Sequence, residues 1–273
     1  MIINSFFGVV GLVLSIYASA QTSTTPSSQT NNSLMDLTPI RVATVDSKPW
    51  GWVDDKGQAH GNVVESIGHL IAAAAPGRPI IHMLAPVERV THMILTGEAD
   101  LAYNIIDPRL MESAVNIGSI GPLNLEVWSL KQPEPLTLEE LNEARVGIAL
   151  RILKNYPFIA NSQLVQLSRP NRLFHMMMAG RIDAVVEFDT LLNYFAAKVG
   201  KTRDDFDILL VDKIPTYIWM SKKSPLARNR DHWQTVAQNL DMKQNFIDSQ
   251  LNVNEREYKS FIANKLNSLR PHN

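Results

Sequence analysis

The chain has 273 residues, 45% of them apolar, with 26 Lys and Arg against 27 Asp and Glu and a formal net charge of -1. That is enough for one large domain or two modest ones with their own cores, and the balanced charge lacks the basic footprint that nucleic-acid binding leaves. There are no cysteines, which excludes disulfides, thiolate metal sites and cysteine nucleophiles.

The first twenty residues, MIINSFFGVVGLVLSIYASA, carry an apolar run from Phe6 to Ile16 and then Ala18-Ser19-Ala20, a small-x-small cleavage pattern. The run is shorter than the roughly 20 residues that a membrane span needs, so residues 1–20 are expected to be a secretory signal peptide. No Lys or Arg precedes it, leaving the α-amino group as the only positive charge there. No Cys follows, so a lipoprotein is excluded. The polar QTSTTPSSQTNNS that comes next reads as the start of a disordered leader over 21–37. A secreted chain without cysteine fits a periplasm, where stability must come from packing alone.

From residue 38 onwards short apolar runs alternate with helical periodicity, the pattern of an α/β fold. IRVATV (Ile40–Val45) predicts a strand. VVESIGHLIAAAA (Val63–Ala75) predicts a helix stopped by Pro76-Gly77. PIIHML is a second strand, ERVTHMILTG a helix closing on Gly97, and ADLAYNI a third strand. The same grammar then restarts with strand RVGIAL, strand LVQLS, helix NRLFHMMMAG closing on Gly180, and strand IDAVVEF. The acidic stretch Leu136–Glu143 between the halves reads as a solvated helix face.

The restart is written in the residues themselves. RVTHMILTGEAD and RLFHMMMAGRID share R-x-x-H-M-x-x-x-G-x-x-D at Arg89/Arg172, His92/His175, Met93/Met176, Gly97/Gly180 and Asp100/Asp183. Each copy is a helix, a Gly suited to the left-handed position after it, and an Asp opening the next strand. Met93, Ile94, Met176 and Met177 are expected on the core face. A solenoid needs more copies at a shorter period, so two copies 83 residues apart point to two similar lobes.

In this order the pieces resemble extracellular solute-binding protein family 3, the periplasmic amino-acid-binding proteins of ABC importers. The resemblance rests on IRVATVDSKPWGWVDDKGQAHGNVVESIGHLIAA, RVTHMILTGEADLAYNI, RLFHMMMAGRIDAVVEFD and PTYIWMSKKSPL, and covers roughly Pro39 to Phe261. It implies a two-lobed type II periplasmic-binding-protein fold, each lobe a mixed sheet flanked by helices, joined by two crossing strands. Lobe one would be 38–122 plus 214–273 and lobe two 123–213, crossing near Gly121-Pro122-Leu123 and Lys213-Ile214-Pro215. Ligands in open α/β sheets bind beyond the carboxyl ends of the strands.

The resemblance also implies site residues. An Arg after the lobe-one Asp-strand holds the ligand carboxylate; the nearest is Arg109, about three residues early and without the usual Thr-rich run. A guanidinium suits that task because it meets a carboxylate bidentately. Asn104 lies at the end of the same strand. The acid that meets an amino group falls at Phe188, flanked by Glu187 and Asp189; strand alternation puts those two on one side and Phe188 on the other. The Gly and Thr expected after RVGIAL are replaced by Arg151, Ile152 and Leu153, and Arg151 could itself meet a carboxylate. Trp50 and Trp52 stand where cleft aromatics stand, while Trp128 and Trp219 on the crossing strands are expected in the core.

No H-E-x-x-H, G-x-S-x-G or phosphate-cradling Gly loop is present, and His92 and His175 read as satisfied helix residues. The expectation is a monomeric, non-enzymatic periplasmic binding protein without metal or cofactor. Its ligand would be an amino acid or related carboxylate, and its partner an ABC permease or a membrane sensor. Two other readings stand: a dehydratase-like enzyme on the same scaffold, and a receptor that binds a protein and no small ligand.

Overall fold

The computed structural model describes residues 38–105, 107–149, 153–154 and 156–268. The signal peptide and leader expected over 1–37, and Arg151, lie outside the described residues. One eight-stranded sheet runs through the molecule in the order β4-β1-β5-β10-β6-β9-β7-β8. Its strands are β1 (Ile40–Val45), β4 (Ile80–Ala85), β5 (Leu101–Ile105), β6 (Ala114–Leu130), β7 (Arg145–Ile148), β8 (Gln163–Gln166), β9 (Ala184–Phe188) and β10 (Phe206–Ser221). A small hairpin, β2 (Trp52–Val53) with β3 (Ala59–His60), stands apart.

The sheet is one pattern used twice. On one side β4, β1 and β5 are parallel and β10 closes on β5 antiparallel. On the other, β8, β7 and β9 are parallel and β6 closes on β9 antiparallel. Parallel strands covered on both faces are apolar throughout rather than alternating, and β9 (AVVEF) is buried at every position. The two long strands β6 and β10 pair through the middle, with Pro122 opposite Pro215 and Leu123 opposite Ile214. These halves are the two lobes of the type II periplasmic-binding-protein fold.

Each parallel unit is covered by helices whose apolar residues recur every three or four positions. In α1 (Asn62–Ala74) the buried face includes Val63, Ile67, Leu70 and Ile71. In α2 (Val87–Thr96) it is Val90, Met93 and Ile94. α3 (Pro108–Ser113) is a short turn before β6. α4 (Pro170–Met178) buries Leu173, Phe174 and Met177, with Met176 only half-buried, and α5 (Asp189–Lys198) follows β9 directly. After β10 come α6 (Arg230–Asn239) and the 27-residue α7 (Met242–Ser268). α7 ties the halves together: Gln250 meets Asn62 of α1 and donates to the Thr190 carbonyl of α5, and Glu257 accepts from the Tyr194 hydroxyl. Residues 136–143 form no helix of length, only a 3-10 turn at Glu140–Asn142 whose Leu141 is fully buried.

The repeated phrase has a structural purpose. Asp100 accepts from the Arg41 backbone N–H (2.9 Å) and from Arg41 Nε (3.0 Å) and Nη2 (2.9 Å), while the same Nη2 donates to the Gly97 carbonyl. Asp183 does the same with Arg145, through its backbone N–H (2.8 Å), Nε (3.1 Å) and Nη2 (2.6 Å), and Arg145 Nη2 donates to the Gly180 carbonyl. Arg41 is the second residue of β1 and Arg145 the first of β7, and each Gly sits at positive φ, 79° and 68°. The phrase is therefore a clasp that fastens the end of a helix and the start of one strand to its parallel neighbour.

Candidate functional site

The carboxyl ends of β1, β5 and β9 are where such a fold carries its ligand, and the structure brings residues of both lobes together there. The loop after β1 folds back on itself, with the Trp50 and Gly51 N–H groups donating to the Ser47 carbonyl. A side chain at Gly51 would run into Leu84, Thr44 and the Val45 carbonyl, so the turn can close this tightly only on glycine. Trp50 then reaches the other lobe: its Nε1 donates to Thr190 Oγ1 at 3.1 Å and its ring lies 6.0 Å from that of Phe188. It is buried there. Trp52, half-buried, stacks on His60 of its own hairpin and carries Lys48 Nζ 5.1 Å above its ring.

Asp189 begins α5 beside this contact, where the positive end of the helix dipole favours an acid. Its Oδ2 accepts from Asn124 Nδ2 at 2.8 Å and its Oδ1 from the Thr190 N–H at 2.7 Å. Burial, and then the nearby Glu126 charge, push its carboxyl up, against the pull of those hydrogen bonds and of Arg203. Across from it is Tyr103 of β5, buried, with a hydroxyl near Thr216 but without a well-formed hydrogen bond. Burial pushes its ionisation far above the ordinary phenol range, and the Asp189 charge adds to this.

Glu187 is the unusual group. It lies opposite Glu126 in the β6–β9 register and is only 1% exposed. Glu126 is fully served: Arg203 Nη2 and Nη1 donate to its two oxygens at 2.9 and 3.0 Å, and Trp128 Nε1 donates at 2.8 Å. Glu187 has one bond, from the Phe188 N–H to Oε1, and its Oε2 has no partner among the described residues. Burial pushes its carboxyl up to about 7, with the Phe188 N–H opposing, as expected for a charge removed from water without compensation.

The lobe-one candidates are held differently. Asn104 is buried and spent on scaffolding, donating to Thr91 Oγ1 at 2.8 Å and accepting from the Ile105 N–H at 2.9 Å. Arg109 is 56% exposed, and its guanidinium donates to Asp107 (Nη2 at 2.6 Å) and to Glu88 (3.3 Å). A ligand carboxylate would share or displace those acids. Arg151 is outside the described residues. Tyr103, Thr190 and Glu126 complete the junction; Tyr103 is the one that the sequence could have offered, as the neighbour of Asn104 on the Asp-strand. Trp128 and Trp219 are core residues at 0% and 4% exposure. No group of three or more His, Asp or Glu among the described residues could hold a metal ion, and no described helix is long and apolar enough to cross a membrane.

No protein-family model matches the sequence, and no curated protein matches it. Solved structures do match. An ancestral cationic amino-acid solute-binding protein superposes with a TM-score of 0.63 at 16% identity, covering 79% of this chain and 97% of its own; that ancestral protein is a precursor of cyclohexadienyl dehydratase. An amino-acid ABC-transporter substrate-binding protein of Streptococcus pneumoniae, bound to L-arginine, gives 0.62 at 17% identity, covering 81% and 95%. A histidine kinase sensor domain similar to periplasmic binding proteins gives 0.61 at 13% identity, covering 78% and 95%. At these identities the likeness establishes the fold.

Proposed function

We propose that this chain is an exported, non-enzymatic solute-binding protein that closes its two lobes on a small ligand bearing an amino group, an amino acid or related carboxylate, for delivery to an ABC permease or a sensor. The division into lobes follows the facing prolines of the crossing strands, 38–122 plus 214–273 against 123–213, with a signal peptide over 1–20 and a leader over 21–37. The observation that carries the reading is the junction itself: Trp50 of one lobe seated on Phe188 and Thr190 of the other, beside the carboxylate of Asp189. Asp189 would accept from the ligand ammonium, the indole and Tyr103 would cover its body, and Arg109 or Arg151 would take its carboxylate. Two charge-assisted contacts supply about 3–6 kcal/mol, short of the roughly 8 that micromolar affinity needs; aromatic cover supplies the rest.

A thermal-shift screen of the purified protein against amino acids, small carboxylates and polyamines tests this. Ligand at 100 times its Kd adds about 2.7 kcal/mol, a rise on the order of 5–10 °C. A rise lost in Asp189→Asn supports the amino-group assignment, and one lost in Arg109→Ala supports the clamp. No rise with any compound would favour a receptor for a protein partner. A second reading, a dehydratase-like enzyme, draws on the raised carboxyl of Glu187 as a general acid. It is the weaker of the two because that carboxyl faces Glu126 inside the sheet. Turnover of a cyclic carboxylic acid that vanished in Glu187→Gln would reverse the order.

A further inference from the structure

A second feature joins the lobes at the same loop after β1. A cavity of about 390 Å3 opens between the loop after β1, through Asp46 and Lys48, and the other lobe, through Arg169 at the start of α4, His175 on α4, and Phe195 and Lys198 on α5. Neither Arg109, Glu187 nor Asp189 borders it. Its volume is in the range of small-molecule sites. Its charge is lopsided: Lys48, Arg169 and Lys198 face one carboxylate, Asp46, and none of the three has a carboxylate within ion-pair distance among the described residues. In a chain with 26 cations against 27 acids, three unmatched cations around one cavity need a reason.

Two of the three are held in position. Lys48 Nζ stands 5.1 Å over the Trp52 ring and Lys198 Nζ 5.8 Å over that of Tyr194, contacts that restrain an ammonium without neutralising it. Arg169 precedes Pro170 at the N-terminus of the nine-residue α4, where helix polarity also favours an anion. Phe195 supplies an apolar wall.

We propose that this cavity binds a small organic anion carrying two negative charges, a phosphate ester or a dicarboxylate, gripped by Lys48 from one lobe and by Arg169 and Lys198 from the other. Three cations against Asp46 leave two charges to be matched, and the cavity has room for a short carbon body. The site does not depend on the amino-group ligand proposed above.

Calorimetric titration of the full chain with glycerol 3-phosphate, succinate and inorganic phosphate, with glycerol as the uncharged control, tests it. The expected result is saturable binding of at least one dianion and none of glycerol. The Arg169→Gln/Lys198→Gln double substitution should weaken it at least about tenfold. Both cations are exposed, so the double variant should melt within a few degrees of the parent, which separates lost binding from lost folding. Tighter binding of glycerol 3-phosphate identifies the phosphate ester, and tighter binding of succinate the dicarboxylate. Absence of binding by all three anions at millimolar concentration overturns the proposal. Binding that survives the double substitution overturns it equally by placing the anion elsewhere.

Discussion

The two lobes carry the same clasp in different surroundings. In lobe one the Asp100 side chain is 6% exposed, its partner Arg41 is 38% exposed, and Ser224 Oγ adds a further hydrogen bond at 2.7 Å. In lobe two Asp183 and Arg145 are 40% and 44% exposed, and among the described residues no second side chain donates to Asp183. Equal geometry thus buys unequal stability, because an ion pair is worth little in water and much more where its partners would otherwise be stranded. Lobe two instead buries a carboxyl with no such support, at Glu187.

The largest effect expected from this contrast is at Asp100. Asp100→Ala removes four accepted hydrogen bonds and strands part of Arg41, and should cost about 3 kcal/mol in urea unfolding. Asp183→Ala should cost about 1 kcal/mol or less. Equal losses would show that exposure does not govern the clasp.

Asp100 and Glu187 should also answer acid in opposite senses. Burial alone would raise the Asp100 carboxyl, but the bonds from Arg41 and Ser224 hold it below its ordinary 3.8. Its contribution is present at neutral pH and is lost as pH falls through the lowered value. Glu187 moves up, from 4.5 to about 7. The folded state then binds the proton more tightly than the unfolded one, so stability falls as pH rises from about 4.5 to 7. Glu187→Gln mimics the protonated form and should stabilise the protein by about 2–3 kcal/mol at pH 8 and by little at pH 4. A loss of stability at pH 8 would mean that the charged carboxylate has a partner.

The two clasp glycines sharpen the comparison further. Both are in the left-handed region, but a Cβ at Gly97 would lie 2.8 Å from Lys223 Cβ, whereas one at Gly180 would meet nothing within 4 Å. Gly180→Ala should therefore cost only the backbone strain, about 1 kcal/mol, and Gly97→Ala about 2. The same melting curves check both.

The parallel strands, α1, α2 and α4 and the duplicated phrase were legible in the sequence because they rest on local periodicity and turn residues at the helix ends, whereas α5, which follows β9 with no intervening turn, was not. The partners of the phrase were not: Arg41 and Arg145 lie 59 and 38 residues away from Asp100 and Asp183, and no local rule links them. Alternation along β9 sets Phe188 against Glu187, but both are buried because the strand is covered on both faces, and Asp189 already belongs to α5. The acids around Arg109 could be read only in part. Asp107 is adjacent in sequence, but Glu88 comes from α2. Nor could spacing show that Trp50 would lodge in the opposite lobe, since that contact spans 140 residues.

On the function proposed above, ligand binds where Trp50 meets α5. Backbone hydrogen exchange, with and without the compound that gives the largest thermal shift, tests it most directly. Slower exchange is expected in both segments at once, residues 50–52 of lobe one and 188–191 of lobe two. Protection confined to one lobe, or found only around Arg169 and Lys198, would contradict it.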